Sequence, residues 1–227
     1  MTRTIRLGTG ICLLPERNPV VTAKEVATLD VLSGGRFDFG VGIGWLEEEF
    51  VAVGVPWPRR AARTREYLRA MKRLWTEEQP DFAGEFVSFP KVRCQPKPVQ
   101  KPHPPVFFGG ESDAALRRAA EVGDGWFGFN ATVDEARRKI TRIRELAVRA
   151  GRDARAITIA ISPGLGSSMA GIVSGKTSHD VARDEIERFR DAGVDEIIVG
   201  AVVRDRRAAE DAIRRLAESV VAPAARL

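Results

Sequence analysis

Gly34-Gly35-Arg36-Phe37-Asp38-Phe39-Gly40-Val41-Gly42-Ile43-Gly44-Trp45 is the stretch that decides the fold. Paired glycines end a helix, a short apolar run reads as a strand, and alternating glycines lead into Glu47-Glu48-Glu49 and another helix. Glycine accepts backbone angles that other residues resist and lets another group approach the main chain closely. A strand that leaves through such a turn into a helix is a natural seat for a flavin or nucleotide. The dinucleotide fingerprint requires Gly-x-Gly-x-x-Gly, and Trp45 stands where its third glycine belongs. By spacing alone the stretch is a tight strand-to-helix turn.

The same alternation repeats on both sides of it. Residues 4–9 read as a strand, and Pro19 opens a helix through Ser33 with Val20, Ala23, Ala27 and Val31 on one face. Gly34 is its C-terminal stop. After a strand at 37–41 come a short helix at 47–53, a break at Pro56 and Pro58, and a helix at 60–75 that aligns Thr64, Leu68, Met71 and Trp75. Residues 80–105 hold Phe82, Phe86 and Phe89, then Pro96, Pro98, Pro102, Pro104 and Pro105. Prolines disfavour central strands, so an ordered excursion with at most a short hairpin is expected there.

Residues 106–108 form the next strand, followed by Gly109-Gly110-Glu111-Ser112 and a helix to Val122. A strand at 126–129 follows Gly123-Asp124-Gly125, and Thr132 with Glu135 makes a capping box for a helix whose apolar face is Ala136, Ile140, Ile143 and Ala147. A strand at 157–162, a small-residue loop at 163–177 and a helix capped by Ser178, with Val181, Ile186 and Phe189 inward, come next. The last strand is read at 195–201, and the final helix carries Ala209, Ile213, Leu216 and Val220. At Gly34, Gly123, Gly151 and Gly193 a helix ends on glycine just before a strand, the signature of a β/α chain with a parallel sheet. About six strands are legible, where a closed barrel of this type has eight.

With 227 residues and 44% hydrophobic residues, a single globular domain over 1–227 is expected, the Pro-rich excursion at 80–105 included. No apolar run is long enough for a membrane span and no leader pattern opens the chain. Cys12 and Cys94 stand far apart and outside any metal-ligand spacing with His103 or His179, so neither a disulfide framework nor a metal site is expected, and a cytoplasmic location fits. The net charge of +5 comes from arginines interleaved with acids, as in Asp184, Glu185 and Glu187 among Arg183, Arg188 and Arg190. That pattern is a solvated face, without the basic and aromatic stripe of a nucleic-acid binder.

Two local features bear on ligands. At Phe107-Phe108-Gly109-Gly110-Glu111-Ser112 the glycines bare backbone N–H groups and Ser112 caps a helix, which suits either a phosphate or nothing beyond an ordinary cap. Ala170-Gly171-Ile172-Val173-Ser174-Gly175-Lys176-Thr177 satisfies a relaxed phosphate-loop pattern, but residues 163–169 separate it from the preceding strand, so Lys176 reads as part of a plain loop. Neither histidine belongs to a Ser-His-acid arrangement. For Trp45 and Trp126, position alone favours the core over a ring-stacking wall.

Taken in order, several stretches resemble the luciferase-like monooxygenase family, closest to its deazaflavin-dependent branch. They are Ile5-Arg6-Leu7-Gly8-Thr9-Gly10-Ile11, Ala27-Thr28-Leu29-Asp30-Val31-Leu32-Ser33-Gly34-Gly35-Arg36, Gly40-Val41-Gly42-Ile43-Gly44-Trp45 with Glu48-Glu49-Phe50, the Pro96 to Pro105 run into Gly109-Gly110, and Gly123-Asp124-Gly125-Trp126. The resemblance implies a (β/α)8 TIM-barrel fold of the α/β class, lacking its first two β/α units, with a cofactor at the C-terminal strand ends. It assigns Thr9, Gly10 and Ile11 to a bulge behind the flavin ring, often with a cis peptide. Gly42, Ile43 and Gly44 would line the cofactor channel, and Gly109, Gly110, Glu111 and Ser112 would hold its phosphate. The implied activity is a flavin- or deazaflavin-dependent oxidoreductase or monooxygenase, using coenzyme F420 or FMN on a small organic substrate, in a homo-oligomer. The alternatives are a non-catalytic partial barrel without cofactor and a phosphate-loop protein. The catalytic acid or base stays unassigned.

Overall fold

The computed structural model describes residues 3–163, 179–199 and 205–221. The chain forms two compact units, Met1–Phe107 and Phe108–Leu227.

In the first unit, β1 (Leu7–Gly8) and β2 (Cys12–Leu13) both pair in parallel with β3 (Phe37–Gly42). The single strand expected at 4–9 is therefore two short pieces, and the register gives the reason. Gly8 lies opposite Asp38 and Cys12 opposite Val41, so four steps along one strand match three along the other. One extra residue between them makes a bulge, which bends the strand and leaves it locally unpaired.

Helix α1 (Pro19–Ser33) starts on Asn18, whose side chain accepts the Val20 and Val21 N–H groups, and ends on Gly34 at φ 68°. Its buried positions are Pro19, Thr22, Ala23, Val26, Ala27, Asp30 and Ser33. The face differs from the expected one: Val20 is half-buried and Val31 exposed, because polar Thr22 and Asp30 take inward places that an apolar count overlooks. Asp30 is satisfied there by Gln100, whose backbone N–H and side-chain amide donate to its two oxygens at 2.9 and 2.7 Å. The same amide donates to the Phe37 carbonyl at 2.7 Å, which pins the Pro-rich excursion to the start of β3.

After α2 (Glu47–Ala52), α3 (Arg60–Thr76) buries Thr64, Leu68, Met71 and Trp75, the face expected. Trp75 donates to the Ala23 carbonyl at 2.8 Å and meets Phe39 edge-on, its ring centroid 6.2 Å away. The excursion contains one hairpin, β4 (Phe82–Ala83) against β5 (Ser88–Phe89), with Phe82 and Phe89 stacked at 6.0 Å. Glu66 of α3 receives the backbone N–H groups of Glu85, Phe86 and Val87, so a helix carboxylate closes the hairpin turn. Pro105 then accepts the Phe39 N–H ahead of β6 (Val106–Gly109), the strand in which the boundary between units falls.

The second unit continues with α4 (Asp113–Val122), β7 (Gly125–Phe129), α5 (Val133–Arg149), β8 (Thr158–Ser162), α6 (His179–Asp191), β9 (Glu196–Ile197) and α7 (Arg206–Leu216). Strands β7, β8 and β9 pair in parallel, with Gly125 opposite Thr158 and Ala160 opposite Glu196. Helix α5 has the capping box of Thr132 and Glu135 and buries Ala136, Ile140, Ile143 and Ala147. Ile186 and Phe189 of α6 are buried. Gly123 has no room for a side chain, since a Cβ would meet the Ala119 carbonyl oxygen and the Phe108 ring at 2.9 Å. Helix α7 departs from expectation: Ala212 is its buried residue and Ile213 is 65% exposed. Residues 164–178, with the phosphate-loop-like stretch, Lys176 and the Ser178 cap, lie outside the described residues, as do residues 200–204 and the side chains of Val181 and Val220.

Candidate cofactor and substrate sites

In the first unit the bulge is held against β3. The Thr9 hydroxyl donates to the Gly40 carbonyl at 2.8 Å, and the Gly10–Ile11 peptide bond is cis, as the family resemblance implies. A Cβ at Gly40 would overlap the Thr9 carbonyl oxygen, and one at Gly42 would overlap the end of the Ile11 side chain. The alternating glycines of β3 thus have a packing reason of their own: they let the bulge lie directly on the strand. The structure brings Thr9, Gly10, Ile11 and Gly42 together around this contact, while Ile43 and Gly44 are half-buried at the end of the strand.

Gly44 has φ 77°, and its carbonyl accepts the Arg60 Nε–H at 3.3 Å. A Cβ there would collide with the Phe50 ring and approach Glu16 Oε1 to 3.0 Å. Arg60 also lies 3.6 Å over the Trp57 ring, which meets Phe50 edge-on at 5.0 Å. The loop after β3 is therefore braced from three sides. Trp45 corrects the sequence reading: it is 81% exposed, because Phe50 from α2 fills the inward place behind Gly44. Trp126 is fully buried, as position suggested.

Beside the bulge is a cavity of about 730 Å3, lined among others by Thr9, Ile11, Glu16, Val26, Leu29 and Phe39. Glu16 was missed by the sequence reading. It follows the strand in Leu14-Pro15-Glu16, where neither periodicity nor motif marks it. Burial first, and then the Glu49 carboxylate, push its carboxyl above the usual glutamate range, with Arg17 opposing.

In the second unit, Gly109-Gly110-Glu111-Ser112 forms the exit from β6 into α4. Gly110 has φ 109° and its carbonyl accepts the Trp126 indole N–H at 2.9 Å. Ser112 caps α4, its side chain accepting the Ala115 N–H, which leaves its hydroxyl proton to donate elsewhere. The Glu111 carboxylate is turned onto the Phe129 N–H at 2.8 Å and the Lys139 ammonium. Asp113 is held below the usual aspartate range by Arg142 and Arg117. With both acids engaged and the Ala115 N–H taken by Ser112, the Asp113 and Ala114 N–H groups and the Ser112 hydroxyl are the donors this turn can offer an anion. Phe129, Lys139 and Arg142 come from distant parts of the sequence, which is why spacing did not reveal them. Among the described residues no group of three or more His, Cys, Asp or Glu could hold a metal ion, and no helix is long and apolar enough to cross a membrane.

Comparison with known proteins agrees with this architecture. A protein of Mycobacterium tuberculosis is 35% identical over 220 residues, covering 96% of this chain and 71% of the relative. An FMNH2-dependent dimethylsulfone monooxygenase of Pseudomonas putida is 40% identical over 132 residues, 54% of this chain and 36% of that enzyme. The coenzyme F420 dependent tetrahydromethanopterin reductase from Methanopyrus kandleri shares the fold, with a TM-score of 0.78 at 20% identity over 97% of this chain and 84% of that one. The parallel β/α architecture is thus that of the TIM-barrel class expected from the sequence. The luciferase-like monooxygenase model matches residues 1–215, and the chain belongs to that family.

Proposed function

We propose that this protein is an oxidoreductase that uses reduced FMN or coenzyme F420 on a small organic substrate, with residues 1–227 as one catalytic domain. The observation that carries the reading is the turn into α4, where Ser112 caps the helix and Glu111 is drawn aside onto Phe129 and Lys139. That turn fits a phosphate: it offers a hydroxyl proton and unpaired N–H groups without a free carboxylate in front of them. Gly109, Gly110, Glu111 and Ser112 are its phosphate-binding segment. In the first unit, Thr9, Gly10 and Ile11 with Gly42, Ile43 and Gly44 form the surface for the ring. The cofactor, when bound, supplies hydride transfer or oxygen activation. The protein's own residues bind the phosphate, orient the ring and keep water from it.

Ser112→Asp tests this, because aspartate caps a helix as well as serine but sets a charge against the phosphate. The expected result is an affinity for FMN and F420 at least tenfold weaker, about 1.4 kcal/mol, with riboflavin, which lacks the phosphate, unaffected. Fluorescence titration of the folded variant reads both. Unchanged FMN and F420 affinity would remove the site. Gly110 is less suitable for substitution, since φ 109° strains any other residue.

The reading includes a homo-oligomer, carried by Leu7 of β1, the end of its sheet, and Ile5 just before it, which are 44% and 60% exposed. Unpaired strand edges with apolar side chains invite pairing with another chain. Light scattering over a dilution series is expected to show self-association, and Leu7→Lys to shift it toward monomer. A monomer at all concentrations would end this part of the proposal.

A further inference from the structure

Helix α5 meets the start of α4 with two cations. Lys139 and Arg142 stand three positions apart, on one face of the helix. Lys139 takes the Glu111 carboxylate and Arg142 the Asp113 carboxylate, so the two acids that flank the Ser112 cap are both held from α5. The two are not held alike. Asp113 has a second cation, Arg117 of its own helix, at 3.3 Å. Glu111 has Lys139 as its one paired cation among the described residues, together with a neutral donor, the Phe129 N–H at 2.8 Å.

The surroundings hold this arrangement in place. Glu135, one turn before Lys139, would compete for it, but its carboxylate accepts the Thr132 N–H and hydroxyl at 2.9 Å in the capping box. Phe129 is set by the strand register, opposite Ser162 of β8. The Gly110 carbonyl, just before Glu111, accepts the indole N–H of buried Trp126. That ring leaves no room for a side chain at Gly128, where a Cβ would come within 2.6 Å of it. The Glu111 and Lys139 side chains are 35% and 24% exposed, so water screens their charges only in part.

A carboxylate directly before a helix cap is drawn to the same N–H groups that a bound anion would take. We propose that Lys139 is a positioning residue for the cofactor phosphate. It acts through Glu111 and not on the phosphate itself, holding and neutralising a carboxylate that would otherwise oppose an anion at Ser112. The inference rests on the phosphate reading of this turn. Without the lysine, Glu111 keeps its charge beside the cap, and the Phe129 N–H alone does not cancel it.

The test is a fluorescence titration of the whole chain with FMN and with riboflavin, which differ by the phosphate. Three proteins are compared: wild type, Lys139→Met, and Lys139→Met combined with Glu111→Gln. Lys139→Met is expected to weaken FMN about tenfold and to leave riboflavin as it was, which also reports that the variant is folded. Adding Glu111→Gln should restore FMN binding, because the uncompensated charge is then gone. FMN affinity that stays weak in the double variant would show that the lysine meets the phosphate directly, and would overturn the proposal. So would an equal loss for FMN and riboflavin in Lys139→Met, the mark of a merely structural role. A preference for FMN over riboflavin that is present in wild type and kept in Lys139→Met would overturn this inference alone. Equal affinity for the two in wild type would remove the phosphate reading, and this inference with it.

Discussion

Gly40→Ala is expected to destabilise the protein by about 3 kcal/mol or more. The added Cβ would overlap the carbonyl oxygen of Thr9, a backbone atom that cannot swing aside as a flexible side chain does. Relief requires lifting the bulge from β3, which breaks the Thr9 hydroxyl bond to the Gly40 carbonyl and displaces Ile11 from Gly42. Gly8→Ala is the control, since a Cβ there meets Asp38 at an ordinary contact distance of 3.4 Å. Urea denaturation of the two variants should separate them clearly. If both unfold at the wild-type midpoint, the bulge does not lie on β3 as described.

Removing the carboxylate of Glu66 is expected to have the second largest effect, about 2–4 kcal/mol for Glu66→Ala. Glu66 is buried, and the variant leaves the N–H groups of Glu85, Phe86 and Val87 without their acceptor. The ion pair of Arg59 with Glu85 beside it is exposed and offsets little. Burial by itself would push the Glu66 carboxyl up, but the three backbone donors, aided by Arg69, hold it below the usual glutamate range. A carboxyl depressed in the folded state stabilises above its unfolded pKa. That contribution is lost as pH falls through the ordinary glutamate range toward the folded value. Stability should thus decline on mild acidification, and the decline should be shallower in Glu66→Gln. Hydrogen exchange at residues 82–89 measures the local effect. Unchanged protection of the hairpin in Glu66→Ala would show that its strand pairing and stacked phenylalanines suffice.

Elements whose ends depend on residues three or four positions apart were legible in the sequence. The capping box of Thr132 and Glu135, the Ser112 cap, the Gly34 stop and the aligned face of α3 all belong to this class. Local hydrogen bonds and a helical period set them, so they appear wherever the chain places those residues. The helix faces that were misread show where this fails. In α1 the inward position of Asp30 depends on Gln100, 70 residues away, and no apolar count can anticipate a buried carboxylate with a distant partner. In α7 the exposure of Ile213 depends on which neighbours cover the helix, which its own period does not contain.

The candidate sites divide in the same way. The sequence by itself determined that glycines would interrupt the strand ends and that a capped helix would follow Gly110, because backbone freedom and capping are properties of single residues. Only the tertiary structure decided that Gly40 and Gly42 lie beneath a bulge, that Phe50 rather than Trp45 fills the space behind Gly44, and that Glu111 is engaged by Phe129 and Lys139. It also decided that Glu16, unmarked in the sequence, has a carboxylate oxygen without a partner beside a cavity. The Phe50 contact spans six residues, and the others join residues far apart in the chain or leave one unpaired. Their existence depends on strand register and packing, which local propensity leaves open.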